Sequence, residues 1–222
     1  TREKYAVIHS CINLDDFSRP KVDPLSLRKA LGIDAASPVV GTVSRLSHQK
    51  NPLDFVRMAA QVKKEIPTAQ FLFVGDGPLR AETEALIREL HLEQDIILAG
   101  LRMDVPDLLH AMDIFTLTSL WEGLPRVIPQ AMIAGLPVVA NNVDGNAEII
   151  RDGVNGFLTP PGDISLMAER IVRLLKDQPL KQAIVAQGRE TAAQEFSLHD
   201  MVKKIETLYD ELLTLKGITA KT

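Results

Sequence analysis

The 222 residues are 45% hydrophobic and 24% charged, an ordinary balance for a globular chain able to bury a substantial core. A net charge of −4 argues against broad binding to nucleic acid or to an anionic membrane. The single cysteine, Cys11, excludes an internal disulfide, the five histidines lack metal-ligand spacing, and no apolar run reaches transmembrane length.

In chain order, the apolar stretch Tyr5–Ile12 is too short and wrongly flanked for a signal peptide. Strands are expected at Val39–Val43, Gln70–Val74, Ile96–Ala99, Ile114–Thr118, Pro137–Ala140 and Gly156–Leu158. Helical patterns fall at about 51–65, 78–91, 104–111, 125–134 and 145–151. The tail reads as helix at about 163–176, 180–195 and 198–215, with Asp163 and Ser197 as caps. In the last of these the stripe Met201, Ile205, Leu208, Leu212, Leu215 is expected to pack into a core. Pro160-Pro161-Gly162 is a turn rather than a linker, so residues 1–222 read as one domain. The alternation predicts an α/β fold: a doubly wound, mainly parallel six-stranded sheet flanked by helices, with a helical C-terminal tail. A ligand is expected at the carboxyl ends of the strands.

The residues at those ends are the chemically suggestive ones. Arg45 and Lys50 follow the first strand as either solvated loop cations or a diphosphate-binding pair, in which a fork and a point charge are complementary. Gly75-Asp76-Gly77 follows the second strand, but the dinucleotide pattern G-x-G-x-x-G fails at Arg80, which leaves a tight turn as the reading. Leu101-Arg102-Met103-Asp104 ends the third strand, where Asp104 is placed to cap the next helix.

The most informative stretch is Ser119–Ala140: a strand end, Glu122 in a turn, Pro125 at a first helical position, and Gly135 closing the helix. Free amides around Gly123, Leu124 and Arg126 make a natural anion site at a helix N-terminus. A carboxylate then stands beside a phosphate-sized cradle. A solvated Glu in an ordinary βαβ turn is the plain alternative.

That segment, SLWEGLPRVIPQAMIAGLPVVA, resembles the Glu-x7-Glu region of the family 4 retaining glycosyltransferases of the GT-B fold. The stretches VGTVSRLSHQKNP (40–52), FLFVGDGPLRAE (71–82), LAGLRMDVPDLLHAMDIFTLTS (98–119), DGNAEIIRDGVNGFL (144–158) and FSLHDMVKKIETLY (196–209) occur in the family's order. The resemblance covers nearly the whole chain. It implies a donor-binding, Rossmann-like half of a GT-B enzyme that transfers a hexosyl-type sugar from a nucleoside diphosphate such as UDP or GDP to an acceptor hydroxyl, with retention. It further implies no metal and no cofactor beyond the nucleotide sugar itself.

Carried over by position, the family assigns catalytic roles to Arg45 and Lys50 on the diphosphate and to Glu122 on the donor sugar. Donor binding falls to Leu101 and Arg102 along the nucleobase and to Gly123, Leu124, Pro125 and Arg126 around the phosphates. Leu108 packs either against the base or only against the sheet. The chain departs from the pattern eight residues after Glu122, where Gln130 replaces a second Glu that takes the ribose hydroxyls. An amide offers one acceptor and one donor group there, a weakening rather than a loss.

The family places VIHSCINLDDF just after its interdomain linker, and the chain starts at Thr1, so an N-terminal acceptor domain is expected to be missing. The expected setting is cytoplasmic, with any peripheral membrane association made through that missing half. A non-catalytic nucleotide-sugar-binding module and a sugar-nucleotide epimerase are the rival readings.

Overall fold

The computed structural model describes residues 5–216. Its six strands are β1 (Val39–Val43), β2 (Gln70–Val74), β3 (Ile96–Gly100), β4 (Ile114–Leu117), β5 (Val138–Asn141) and β6 (Phe157–Thr159). They form one all-parallel sheet in the order β3-β2-β1-β4-β5-β6. The chain therefore winds outward one way from β1 and the other way from β4. At this reversal β1 and β4 share two paired positions, Val40 with Ile114 and Gly41 with Phe115, the shortest ladder in the sheet.

Side chains alternate across the sheet as strand geometry requires. In β2, Leu72 and Val74 enter one core while Phe71 and Phe73 enter the other. The first core is covered by α2 (Pro24–Ala30), α5 (Val105–His110), α6 (Val127–Ala134) and α9 (Gln178–Glu195), and the second by α3 (Pro52–Glu65), α4 (Arg80–Glu89) and α8 (Ile164–Lys176). Phe55 of α3 sits edge-on to Phe73 at 5.3 Å and to Phe71 at 6.4 Å, a favoured aromatic arrangement. Both faces are apolar because both are buried, which is why the strands read as continuous hydrophobic runs.

The caps appear where expected. Asp163 accepts from the Leu166 N–H, Ser197 accepts from the Asp200 N–H, and Gly135 ends α6 in the left-handed region at φ 88°. Two short helices went unforeseen: α1 (Asp15–Ser18) and α2, which opens on the Asp23 cap and Pro24. The helix α7 (Asp144–Ile149) starts one residue earlier than the pattern suggests.

The core role expected of the last helix is not found. In α10 (Leu198–Leu215) no side chain is buried, and Leu212 and Leu215 are exposed. The helix is amphipathic, but none of its side chains joins either core.

Candidate functional site

The reversal between β1 and β4 opens a crevice at the carboxyl ends, the usual ligand position in an open α/β sheet. Two loops form its walls. The first runs from Ser44 through a single 3₁₀ turn (His48–Lys50) to Asn51, which adopts a left-handed conformation (φ 47°) before Pro52 starts α3. Its base is pinned to the loop after β2: the Leu46 N–H donates to the Asp76 carbonyl at 3.1 Å, and the Leu79 N–H donates to the Leu46 carbonyl at 2.9 Å. Gly75 lies at φ 137°, and a Cβ there would come 1.9 Å from the Ser44 carbonyl oxygen. The glycines thus serve a close loop-to-loop contact, in keeping with the tight turn expected from sequence.

The second wall is the loop after β4. Thr118 Oγ1 donates towards the Lys50 and Asn51 carbonyls, each at 3.0 Å, the Leu120 N–H donates to the Gln49 carbonyl at 2.8 Å, and Gln49 Nε2 donates to the Trp121 carbonyl at 3.0 Å. On its far side Asn141 Nδ2 donates to the Thr118 and Ser119 carbonyls at 3.0 and 3.1 Å. Gly145, at the start of α7, lies so close that a Cβ would overlap the Gly123 carbonyl oxygen at 1.4 Å.

Held this way, Glu122 is a buried carboxylate rather than a solvated one. Its side chain is 6% exposed, and its Oε1 accepts from Ser119 Oγ at 2.6 Å and from Lys50 Nζ. The structure therefore joins two residues singled out separately: Lys50, expected on a diphosphate, and Glu122, expected on a sugar, form one ion pair. Arg45 is exposed and has no ion pair among the described residues. The N–H groups of Gly123, Leu124 and Arg126 have no protein partner among the described residues. No group of three or more His, Cys, Asp or Glu among the described residues is placed to hold a metal ion.

Beside this crevice, a cleft of about 580 Å³ lies over the ends of β1, β2 and β3 and is lined by Arg45, Gly75, Asp76, Leu101, Arg102 and Val105 among others. Leu101 is 81% exposed there. Arg102 meets Asp104 through two hydrogen bonds, Nε to Oδ1 at 2.8 Å and a terminal nitrogen to Oδ2 at 2.5 Å. The Arg102 hydrogen bond holds the Asp104 carboxyl below its usual range, and Asp104 in turn raises Arg102. Asp104 stands at the N-cap position of α5, as expected, but its carboxyl makes no capping hydrogen bond and pairs with Arg102 instead.

Three further positions are placed by the fold. Leu108 is fully buried in the core between α5 and the sheet, which favours the sheet-packing alternative. Pro125 is not the first helical residue: α6 begins at Val127, with Arg126 preceding it. Gln130 stands one turn into α6, so most of the eight residues from Glu122 to Gln130 are loop. It is half-buried, and its side chain makes no hydrogen bond among the described residues. The supporting residues Ser119, Asn141 and Gly145 were not singled out. Their signal, polar or small residues at strand ends, is shared by many loops.

The sequence pattern of the family described as "Glycosyl transferases group 1" matches residues 25–191. The UDP-Gal:alpha-D-GlcNAc-diphosphoundecaprenol alpha-1,3-galactosyltransferase of Escherichia coli is 34% identical over 218 residues, which is 96% of this chain and 56% of that one. The N-acetyl-alpha-D-glucosaminyl L-malate synthase of Bacillus anthracis is 31% identical over 87% of this chain and 50% of its own length. Among solved structures, Anabaena Alr3699/HepE in complex with UDP superposes with a TM-score of 0.86 at 32% identity, over 92% of this chain and 57% of that one. The chain thus spans about half the length of these relatives.

Proposed function

The chain belongs to the group 1 glycosyl transferases, and from that membership we propose that it is the donor-binding half of a retaining, metal-independent enzyme that transfers a hexosyl-type sugar from a nucleoside diphosphate. One observation carries the reading. Arg45, Lys50, Glu122 and the unpaired N–H groups of Gly123, Leu124 and Arg126 lie on the two loops that follow β1 and β4, at the sheet's reversal point, where Lys50 and Glu122 pair. UDP is the nucleotide to test first, because UDP is named with both the galactosyltransferase and the HepE complex.

In this reading the base lies in the cleft lined by Leu101 and Arg102, and the diphosphate spans Arg45 and the amides. Binding recruits Lys50 away from Glu122, and Glu122 then accepts from sugar hydroxyls, so neither charge is left bare. The leaving diphosphate gains charge as the glycosidic bond breaks, and fixed cations and N–H donors stabilise that change most. The diphosphate itself assists deprotonation of the acceptor hydroxyl on the same face. The acceptor site, any peripheral membrane contact and a cytoplasmic setting belong, in this proposal, to a longer protein carrying an N-terminal acceptor domain.

Calorimetry of the 222-residue chain with UDP in the presence of a chelator tests the core of this reading. Binding without metal is expected, and strict dependence on Mg²⁺ or Mn²⁺ overturns metal independence. A second reading, a non-catalytic donor-binding module, is favoured by Gln130 alone. Sugar transfer by the full-length protein separates the two.

A further inference from the structure

Two rungs bridge the same pair of loops. One is the Lys50–Glu122 ion pair. The other is aromatic: His48 and Trp121 lie with ring centroids 5.6 Å apart at an interplanar angle of 45°. Trp121 is the only tryptophan in the sequence, and it is 47% exposed although its backbone is fixed by Gln49. His48 is exposed, and its ring nitrogens have no hydrogen-bond partner among the described residues. A large aromatic held rigid and left half in water, beside an unpaired hydrogen-bonding ring, is a recognition surface in search of an amphipathic partner.

Position along the sheet narrows the ligand. The apolar cleft lies over β3, β2 and β1, Arg45 and Lys50 extend from β1, and Glu122 and Trp121 extend from β4. A nucleotide sugar laid across that order has its base at one end, its phosphates in the middle and its sugar at the β4 end. Trp121 directly precedes Glu122 in the chain, its ring exposed where the Glu122 carboxylate is buried. We propose that Trp121 and His48 form a stacking platform for a pyranose ring, whose C–H face lies on the indole while a hydroxyl bonds the imidazole. The ring belongs either to the donor's sugar or to a sugar acceptor. The inference rests on the donor-site reading above.

The tryptophan reports on its own site. Fluorescence of the 222-residue chain is titrated with UDP, with UDP-glucose, and with methyl α-D-glucopyranoside in the presence of UDP. A platform for the donor's sugar gives an emission change with UDP-glucose beyond that with UDP. A platform for an acceptor gives it with the pyranoside. By calorimetry, Trp121→Ala should erase an advantage of about three- to tenfold for the sugar-bearing ligand while leaving UDP affinity nearly unchanged, and Trp121→Phe should keep most of it. His48→Ala should remove part of it. The platform is overturned if UDP binds but both sugar arms leave the emission unchanged, or if Trp121→Ala weakens UDP as much as its sugar-bearing forms. Failure of UDP itself to bind overturns the donor-site reading and the platform together.

Discussion

Removing a negative charge from the sugar subsite should tighten the binding of the diphosphate. Glu122→Gln keeps the shape of the side chain and an acceptor oxygen for Ser119, but it frees Lys50 from its ion pair. In the wild type, UDP must win that ammonium from a carboxylate only 6% exposed, with Lys50 itself 21% exposed. The raw attraction of two unit charges 4 Å apart is about 4 kcal/mol at an effective dielectric of 20, and much of it is offset by desolvation. A net hydrogen bond to a charged group is worth about 1.5–3 kcal/mol. If about 1 kcal/mol of this is returned when the competitor is neutral, UDP should bind roughly fivefold tighter to Glu122→Gln. Uridine, which has no phosphate, should bind both proteins alike. The advantage of UDP-glucose over UDP should shrink, since the sugar loses a charged acceptor. Calorimetry with the three ligands decides the matter. Weaker UDP binding by Glu122→Gln, with uridine unaffected, would refute the idea that Lys50 serves the phosphate.

The other expectations follow from the same geometry. Arg45→Ala should weaken UDP about tenfold and uridine hardly at all, because it removes one exposed cation from the phosphate end; equal losses on the two ligands would remove Arg45 from the site. Gln130→Glu should tighten UDP by up to about tenfold, with most of the gain lost on a 2′-deoxyribose analogue; no gain would mean that Gln130 does not face the ribose. Burial pushes His110 below its ordinary value of 6.5, outweighing the Phe17 carbonyl and Asp107. The unfolded chain therefore takes up that proton first, so stability should fall as pH drops through 6.5 towards the lower folded value. Urea midpoints at about pH 7.5 and about pH 5.5 should differ less in His110→Asn, and an unchanged difference would assign the slope to other groups.

The sheet was legible because its strands are buried on both faces, which leaves apolar runs too regular to mistake. The caps at Asp163, Ser197 and Gly135 were equally readable, since each acts on backbone within a few residues. What failed was whatever depends on distant chain. A stripe such as that of α10 says that a face is apolar, not what lies over it. Leu108 could not be sorted between ligand and sheet until α5 was seated on the core. The Lys50–Glu122 contact joins residues 72 apart, and no local pattern announces it. The boundaries of α6 slipped for a subtler reason: Pro125 suits a first helical turn, yet the loop before it is drawn tight against Gly145 and delays the helix.

The two-residue ladder between β1 and β4 has a mechanical consequence. It is the sheet's narrowest seam, and the two loops stitched by Thr118, Leu120 and Gln49 close it from above. Anything bound across those loops spans the seam like a rivet, drawing together the half of the domain that ends in β3 and the half that ends in β6. Occupancy should then be felt as slower amide exchange along Val40, Gly41, Ile114 and Phe115, beneath the ligand and out of its reach.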